Sequence, residues 1–238
     1  MRIGINTIVG ENMADCTQCD SLGERLIRVG GTDMTLPCAV CQNESFSKEF
    51  RGLVKGRIKD ADRFLQKNLS DLEISAPLAA CIEKFRGGEG QGLTLFGPEG
   101  RGKTQVAISA GVEWCVDHST ASIKYILVPE LFLGLRGSFD RVADVPTEFD
   151  QMQVLQNVKV LILDDITKER ASGYVASWMF MLLDTRYRKM LPTIVTMNTD
   201  LQGLADQMGK EYGKYIVSRL VQMNGNAIQL TGRDRRKG

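Results

Sequence analysis

The chain has 238 residues, 43% hydrophobic and 25% charged, an ordinary globular composition with room for one medium domain plus a small module. Its formal net charge of +1 gives no global electrostatic pull toward nucleic acid or a membrane. No apolar run approaches the roughly 20 residues that span a bilayer, and the opening "MRIGINTIVGENMADC" lacks a small-residue cleavage site, so a cytoplasmic location is expected.

The first element is a cysteine module. "CTQC" (Cys16, Cys19) is followed after 18 residues by "CAVC" (Cys38, Cys41). Paired C-x-x-C motifs at this spacing fit a four-thiolate structural zinc site and favour it over a redox pair. Within the spacer, "RLIRV" reads as a strand, "GGTD" as a turn and "MTLP" as the returning segment, a zinc-ribbon outline. So short a stretch has too few large apolar side chains for its own core, so the metal is expected to stabilise it. Residues 1–45 carry three arginines and six acids, a net charge of −3, leaving +4 on the remainder. An acidic module is a poor candidate for DNA binding by counterion release. Residues 1–48 are therefore expected to form a zinc-binding, partner-docking module, 49–75 a basic linker and lead-in helix, and 76–238 the main domain.

The main domain announces itself at "GLTLFGPEGRGKTQVAISAGVEW". A short apolar strand, Leu93–Phe96, runs into Gly97, Pro98, Glu99, Gly100, Arg101, Gly102, Lys103 and Thr104, which spell G-x-x-x-x-G-K-T before a helical pattern. In such a loop the glycines let backbone N–H groups close on phosphate oxygens, and the helix N-terminus faces the same anion. Lys103 is expected to neutralise the β- and γ-phosphates of ATP, and Thr104 to hold Mg²⁺ through its hydroxyl. Gln105 completes the expected nucleotide contacts.

"ASIKYILV" reads as the next strand, and "PELFLGLRGSFDRVAD" as a helix after it. "VKVLILDDITKE" then supplies a continuous apolar run over 158–163, as a central parallel strand buried on both faces requires. It ends in Asp164, expected to act on Mg²⁺ directly or through water, and Asp165, expected to orient or deprotonate the attacking water. "GYVASWMFMLLDTRYRKM" is apolar near helical period. "LPTIVTMNTD" is a third strand over 193–197 ending at Asn198, which is expected to hold the water or the γ-phosphate. "AIQLTG" is a final strand. Ligands of open parallel sheets gather at the carboxyl ends of the strands. Cys81, Cys115 and the single histidine, His118, sit in helical stretches and read as packing residues.

These residues resemble a family, the AAA+ ATPases of the replicative helicase loader group (DnaC and DnaI type), to which the IstB-type transposition helper ATPases also belong. "GLTLFGPEGRGKT", "VLILDDI" and "DTRYRKMLPTIVTMNTD" carry the resemblance, with "SRL" at 218–220 and "GRDRR" at 232–236 as shorter echoes, over roughly residues 60 to 236. The resemblance implies an α/β P-loop core with a five-stranded parallel sheet flanked by helices, here preceded by the zinc-ribbon-like module and lacking a full lid. It implies slow ATP hydrolysis at sites shared between self-associating subunits, with Arg219 as the arginine reaching a neighbour's ATP and Arg236 as a second contact. It implies a replicative hexameric helicase and single-stranded DNA as partners, with Arg136 and Phe139 either contacting DNA or packing the domain, and with the N-terminal module gripping the helicase. The alternatives are a transposition helper and an ATP-sensing zinc-ribbon DNA-binding regulator. The chain departs from many such ATPases in carrying aspartate, one methylene shorter than glutamate, at position 165.

Overall fold

Strand side chains alternate between faces with a period of two, and here that alternation feeds two separate hydrophobic cores. The computed structural model describes residues 48–56, 58, 61–88, 90–118, 122–137, 147–167, 171–232 and 234; for 24–29, 32–37 and 134–137 it describes the backbone alone. Cys16, Cys19, Cys38, Cys41, Phe139 and Arg236 lie outside the described residues, as does the side chain of Arg136.

Strands β1 (Glu24–Val29) and β2 (Thr32–Pro37) form the antiparallel hairpin expected from the cysteine spacer, with Glu24 opposite Pro37 and Val29 opposite Thr32. Helix α1 covers residues 48–55. Next come the short α2 (Asp62–Leu65), a 3₁₀ turn over Leu69–Asp71, and α3 (Ala76–Arg86). Five parallel strands follow, in the spatial order β4-β5-β6-β3-β7: β3 (Leu93–Phe96), β4 (Ile123–Leu127), β5 (Val160–Asp164), β6 (Thr193–Met197) and β7 (Ile228–Gln229). Helices α4 (Lys103–Asp117), α5 (Val128–Gly137), α6 (Glu148–Asn157), α7 (Gly173–Arg188) and α8 (Leu201–Asn224) connect them. This is the α/β architecture with a five-stranded parallel sheet that the resemblance implies.

Val160 and Ile162 of β5 and Ile194 of β6 join one core with α1 to α4, whereas Leu161, Leu163, Val195 and Met197 join the other with α5 to α8. Every residue of β5 and β6 is buried, which explains the unbroken apolar run in the sequence. Burying a Leu or Ile side chain contributes about 1.5–3 kcal/mol, so these two central strands anchor both layers. The 49–75 segment is built into the first core. Phe50 and Val54 are fully buried, and Leu65, Leu69 and Leu72 pack with them against α4.

Several boundaries differ from expectation: β2 begins at Thr32, inside the stretch expected as a turn, and Val128 opens α5 rather than closing β4. Val158 closes α6 rather than opening β5, donating its N–H to Val154 O at 3.0 Å. "AIQLTG" contributes only two strand residues, paired with Leu95 and Phe96. Buried Arg186, near the end of α7, ties that helix to α6, to β6 and to the turns that lead into β5 and β6. It donates to Leu155 O (2.7 Å), Val158 O (2.8 Å), Lys159 O (3.3 Å), Pro192 O (2.8 Å) and Thr193 Oγ1 (2.8 Å). Five donors in a rigid fork suit this role, which lysine could not reproduce. In α5, Phe132 is buried, Leu131 packs alongside it and Leu133 is exposed. Among the described residues, no helix is long and apolar enough to cross a membrane.

Candidate functional site

The chain leaves β3 through the glycine-rich loop and enters α4 at Gly102, whose φ of +88° lies in the left-handed region. A side chain there would be strained, so glycine is needed for the turn that points the helix N-terminus at the loop's interior. The loop is braced from behind by the C-terminal stretch. Leu230 donates its N–H to Phe96 O at 2.8 Å, and Arg101 donates to Gly232 O. The expected residue Arg101 therefore faces the tail.

Three strands end around the loop. Asp164, last in β5, is buried and accepts from Thr104 Oγ1 at 3.0 and 3.1 Å, from Tyr125 Oη at 2.6 Å, and from Thr196 Oγ1. Burial first, then the Asp164 charge and hydrogen bond, push the Tyr125 hydroxyl far above the ordinary phenol range, so it remains a donor. Asp165 follows in a left-handed conformation, φ +59°, which aspartate tolerates better than most residues. Its N–H donates to Thr196 Oγ1 at 2.9 Å, and its carboxylate accepts from Asn198 Nδ2 at 2.9 Å. Strain held in place by such partners is a mark of functional turns. Asn198 is itself fixed by its N–H, which donates to Thr167 Oγ1 at 2.8 Å. Lys103 is folded back on its own loop, donating to Gly97 O (2.7 Å) and Pro98 O (2.9 Å).

These groups open onto a cavity of about 660 Å³, within the range of small-molecule sites. Of the residues singled out in the sequence, Glu99, Gly100, Gly102, Lys103, Thr104, Gln105, Asp164, Asp165 and Asn198 line it. Gly97 and Pro98 contribute through their hold on Lys103. Arg219 is not among the lining residues; it sits on α8 against α7. A hydroxyl and a carboxylate oxygen about 3 Å apart at the cavity wall are hard oxygen donors of the kind Mg²⁺ takes, so Thr104 and Asp164 fit that ion.

The remaining wall is formed by Arg63, Phe64, Gln66, Lys67 and Leu72, which the sequence offered as linker. Gln105 explains their placement. Its amide donates to Phe64 O at 2.6 Å, while Ser109 Oγ donates to Lys67 O at 3.0 Å. Two polar residues on the buried face of α4 need partners, and that was the available signal. Thr196 and Tyr125 were likewise missed. Thr196 is a hydroxyl inside an otherwise apolar strand end, a pattern that could have marked it. Cys115 is buried, and burial pushes its thiol up to about 12, so it is inert packing. His118 caps α4 and stacks on Trp114 with centroids 4.2 Å apart.

No curated protein matches the chain. Among solved structures, DnaI superposes with a TM-score of 0.60 at 25% identity, covering 73% of this chain and 93% of DnaI. The DnaC helicase loader gives 0.58 at 23% identity, covering 71% and 99%. A primosome component described from Streptococcus pyogenes serotype M3 gives 0.58 at 22%, covering 73% and 90%. These likenesses agree with the AAA+ P-loop core. In sequence, residues 63–237 match the model described as IstB-like ATP binding protein. With most of its length matched and its phosphate loop, buried aspartate and polar strand end converging on one cavity, the chain belongs to the IstB-like ATP-binding protein family.

Proposed function

We propose that the chain is an ATPase that loads a replicative hexameric helicase onto single-stranded DNA, with ATP binding and hydrolysis as the assembly switch. The observation that carries the ATPase part is the convergence of Lys103, Thr104, Asp164, Asp165 and Asn198 on the cavity. The likeness to DnaI supports the loader part, together with the family resemblance of "DTRYRKMLPTIVTMNTD".

In this reading the triphosphate lies along the glycine-rich loop. Lys103 exchanges the carbonyls of Gly97 and Pro98 for phosphate oxygens, a stronger, charge-assisted set of bonds. Mg²⁺, when bound at Thr104 and Asp164, neutralises charge across the phosphates. Asp165, held by Asn198, orients the attacking water and accepts its proton. Arg219 of one copy supplies positive charge to the ATP of its neighbour. Such an arginine is worth roughly 10³–10⁵ in rate, which makes the isolated chain slow. Arg236 is proposed as a further contact to the nucleotide, and Arg136 and Phe139 as contacts to single-stranded DNA.

Cys16, Cys19, Cys38 and Cys41 are proposed to bind one zinc. The hairpin supports this, because Glu24 pairs with Pro37 and Cys38 directly follows Pro37, so the two cysteine pairs flank its open end in sequence. Zinc would supply folding free energy to the module. The acidic module then docks the helicase. About one zinc per chain is expected by elemental analysis of protein purified without chelator; none would remove this part.

The family matched in sequence favours a second reading, a helper ATPase that activates a transposase on DNA. Affinity purification of the full chain separates the two. Recovery of a hexameric helicase supports the loader, and recovery of a transposase supports the helper. The loader further requires that helicase and single-stranded DNA raise ATP turnover.

A further inference from the structure

Away from the cavity, the C-terminal parts of α7 and α8 carry a second ordered cluster of charge. Asp184 on α7 has a side chain only 11% exposed. One of its oxygens accepts from Arg219 Nε at 2.7 Å, and the other from Arg188 Nη2 at 2.6 Å. The ring of Tyr187 lies against Arg219, with Cζ 4.8 Å from its centroid. Gln222, one turn further along α8, accepts from Arg219 Nη1 at 2.8 Å.

These three contacts restrain different degrees of freedom. The carboxylate fixes the Nε edge of the guanidinium, the ring fixes its plane, and the amide fixes one terminal nitrogen. Nη2 makes no hydrogen bond among the described residues, on a side chain that is 27% exposed. One carboxylate between two guanidiniums also leaves a net positive charge on this face. A free surface arginine loses rotamer entropy when it is held in one geometry, and a group ordered before its partner arrives does not lose that entropy on contact. The Arg188 half of the arrangement stabilises the fold little, because Arg188 is 73% exposed and exposed ion pairs contribute little. As a way of aiming a terminal nitrogen outward the arrangement is well built.

We propose that Asp184, with Tyr187, is a positioning residue that holds Arg219 in the orientation in which it meets the phosphates of ATP on a neighbouring copy. This rests on the assignment of Arg219 to a shared site made above. The pair does not touch substrate; it acts through Arg219.

The test is steady-state ATP turnover by the full-length chain in the presence of single-stranded DNA, resolved into kcat and KM, for Asp184→Asn, Tyr187→Leu, Arg219→Ala, Lys103→Ala and equimolar mixtures. Loss of one charged hydrogen bond that orients the arginine corresponds to roughly a 10–100-fold fall in kcat for Asp184→Asn, with KM for ATP unchanged. Tyr187→Leu alters no charge and lowers kcat in the same direction. Mixing decides whether the defect travels with the donated arginine. Asp184→Asn binds ATP, and Lys103→Ala carries an intact Asp184–Arg219 unit, so their mixture regains activity that neither has alone. Asp184→Asn mixed with Arg219→Ala gains nothing over Asp184→Asn alone, because both are defective in the same half of the shared site. A wild-type kcat in Asp184→Asn and Tyr187→Leu, with Arg219→Ala inactive, overturns the proposal and spares the shared-site reading. Full activity in Arg219→Ala removes that reading, and the proposal with it. Failure of the Asp184→Asn and Lys103→Ala mixture to recover marks a general structural defect and also overturns the proposal.

Discussion

Two buried aspartates, Asp164 and Asp184, sit on this domain in opposite electrostatic company. Asp164 is surrounded by the hydroxyls of Thr104, Tyr125 and Thr196. Asp184 is clasped by the guanidiniums of Arg188 and Arg219. Hydroxyls orient a carboxylate without cancelling its charge, so Asp164 keeps its pull on a cation brought by a ligand. Arginines cancel it, so Asp184 has no comparable attraction left and serves to hold its partners. Burying a charge without compensation is costly. Asp164 therefore reads as a carboxylate suited to a cation, and Asp184 as a bracket for its two arginines. Burial alone does not separate a metal-binding aspartate from a bracing one; the chemistry of the neighbours does.

The contrast breaks first, and by most, at the cavity. Asp164→Asn keeps the shape but removes the charge, and turnover should fall by about 10³-fold or more, consistent with the several kcal/mol that metal-assisted charge stabilisation supplies. Far-ultraviolet circular dichroism should stay unchanged. Asp165→Asn should retain ATP binding and lose roughly 10²–10⁴-fold in turnover, the usual span for a general base; normal hydrolysis would show that another group serves the water. Lys103→Ala should weaken ATP binding by roughly 10–100-fold in calorimetric titration, from the loss of charge-assisted bonds. Thr196→Val takes a donor from Asp164 and an acceptor from the Asp165 N–H, which should lower turnover about tenfold. Asp184→Asn should leave ATP affinity unchanged and lower stability by only about 1–3 kcal/mol, discounted because both arginines are partly solvated. That corresponds to a melting shift of several degrees in a chain of this size. A large loss of ATP affinity in Asp184→Asn would erase the distinction between the two aspartates.

Much of this site was legible in the sequence because its chemistry is local. A phosphate loop needs glycines, a lysine and a hydroxyl within a few residues, and a central parallel strand must be apolar until it reaches the ligand. Thus β3 and β6 were found at their observed limits, and Asp164, Asp165 and Asn198 were picked out. What was missed depends on register and docking across the fold. Tyr125 meets Asp164 only because β4 lies beside β5, with Leu127 opposite Asp164. Residues 63–72 form a wall only because Gln105 and Ser109 pin them to α4. The bracket at Asp184 was invisible for the same reason: its three charged members come from two helices that pair in space but lie 31 residues apart at Arg188 and Arg219.

The most direct test of the account is calorimetric titration of ATP into the wild-type chain and Asp164→Asn, each with and without Mg²⁺. The account predicts that wild type binds ATP more tightly when Mg²⁺ is present, and that Asp164→Asn binds ATP but loses most of that gain. Absence of ATP binding by wild type, or an undiminished Mg²⁺ effect in Asp164→Asn, would contradict it.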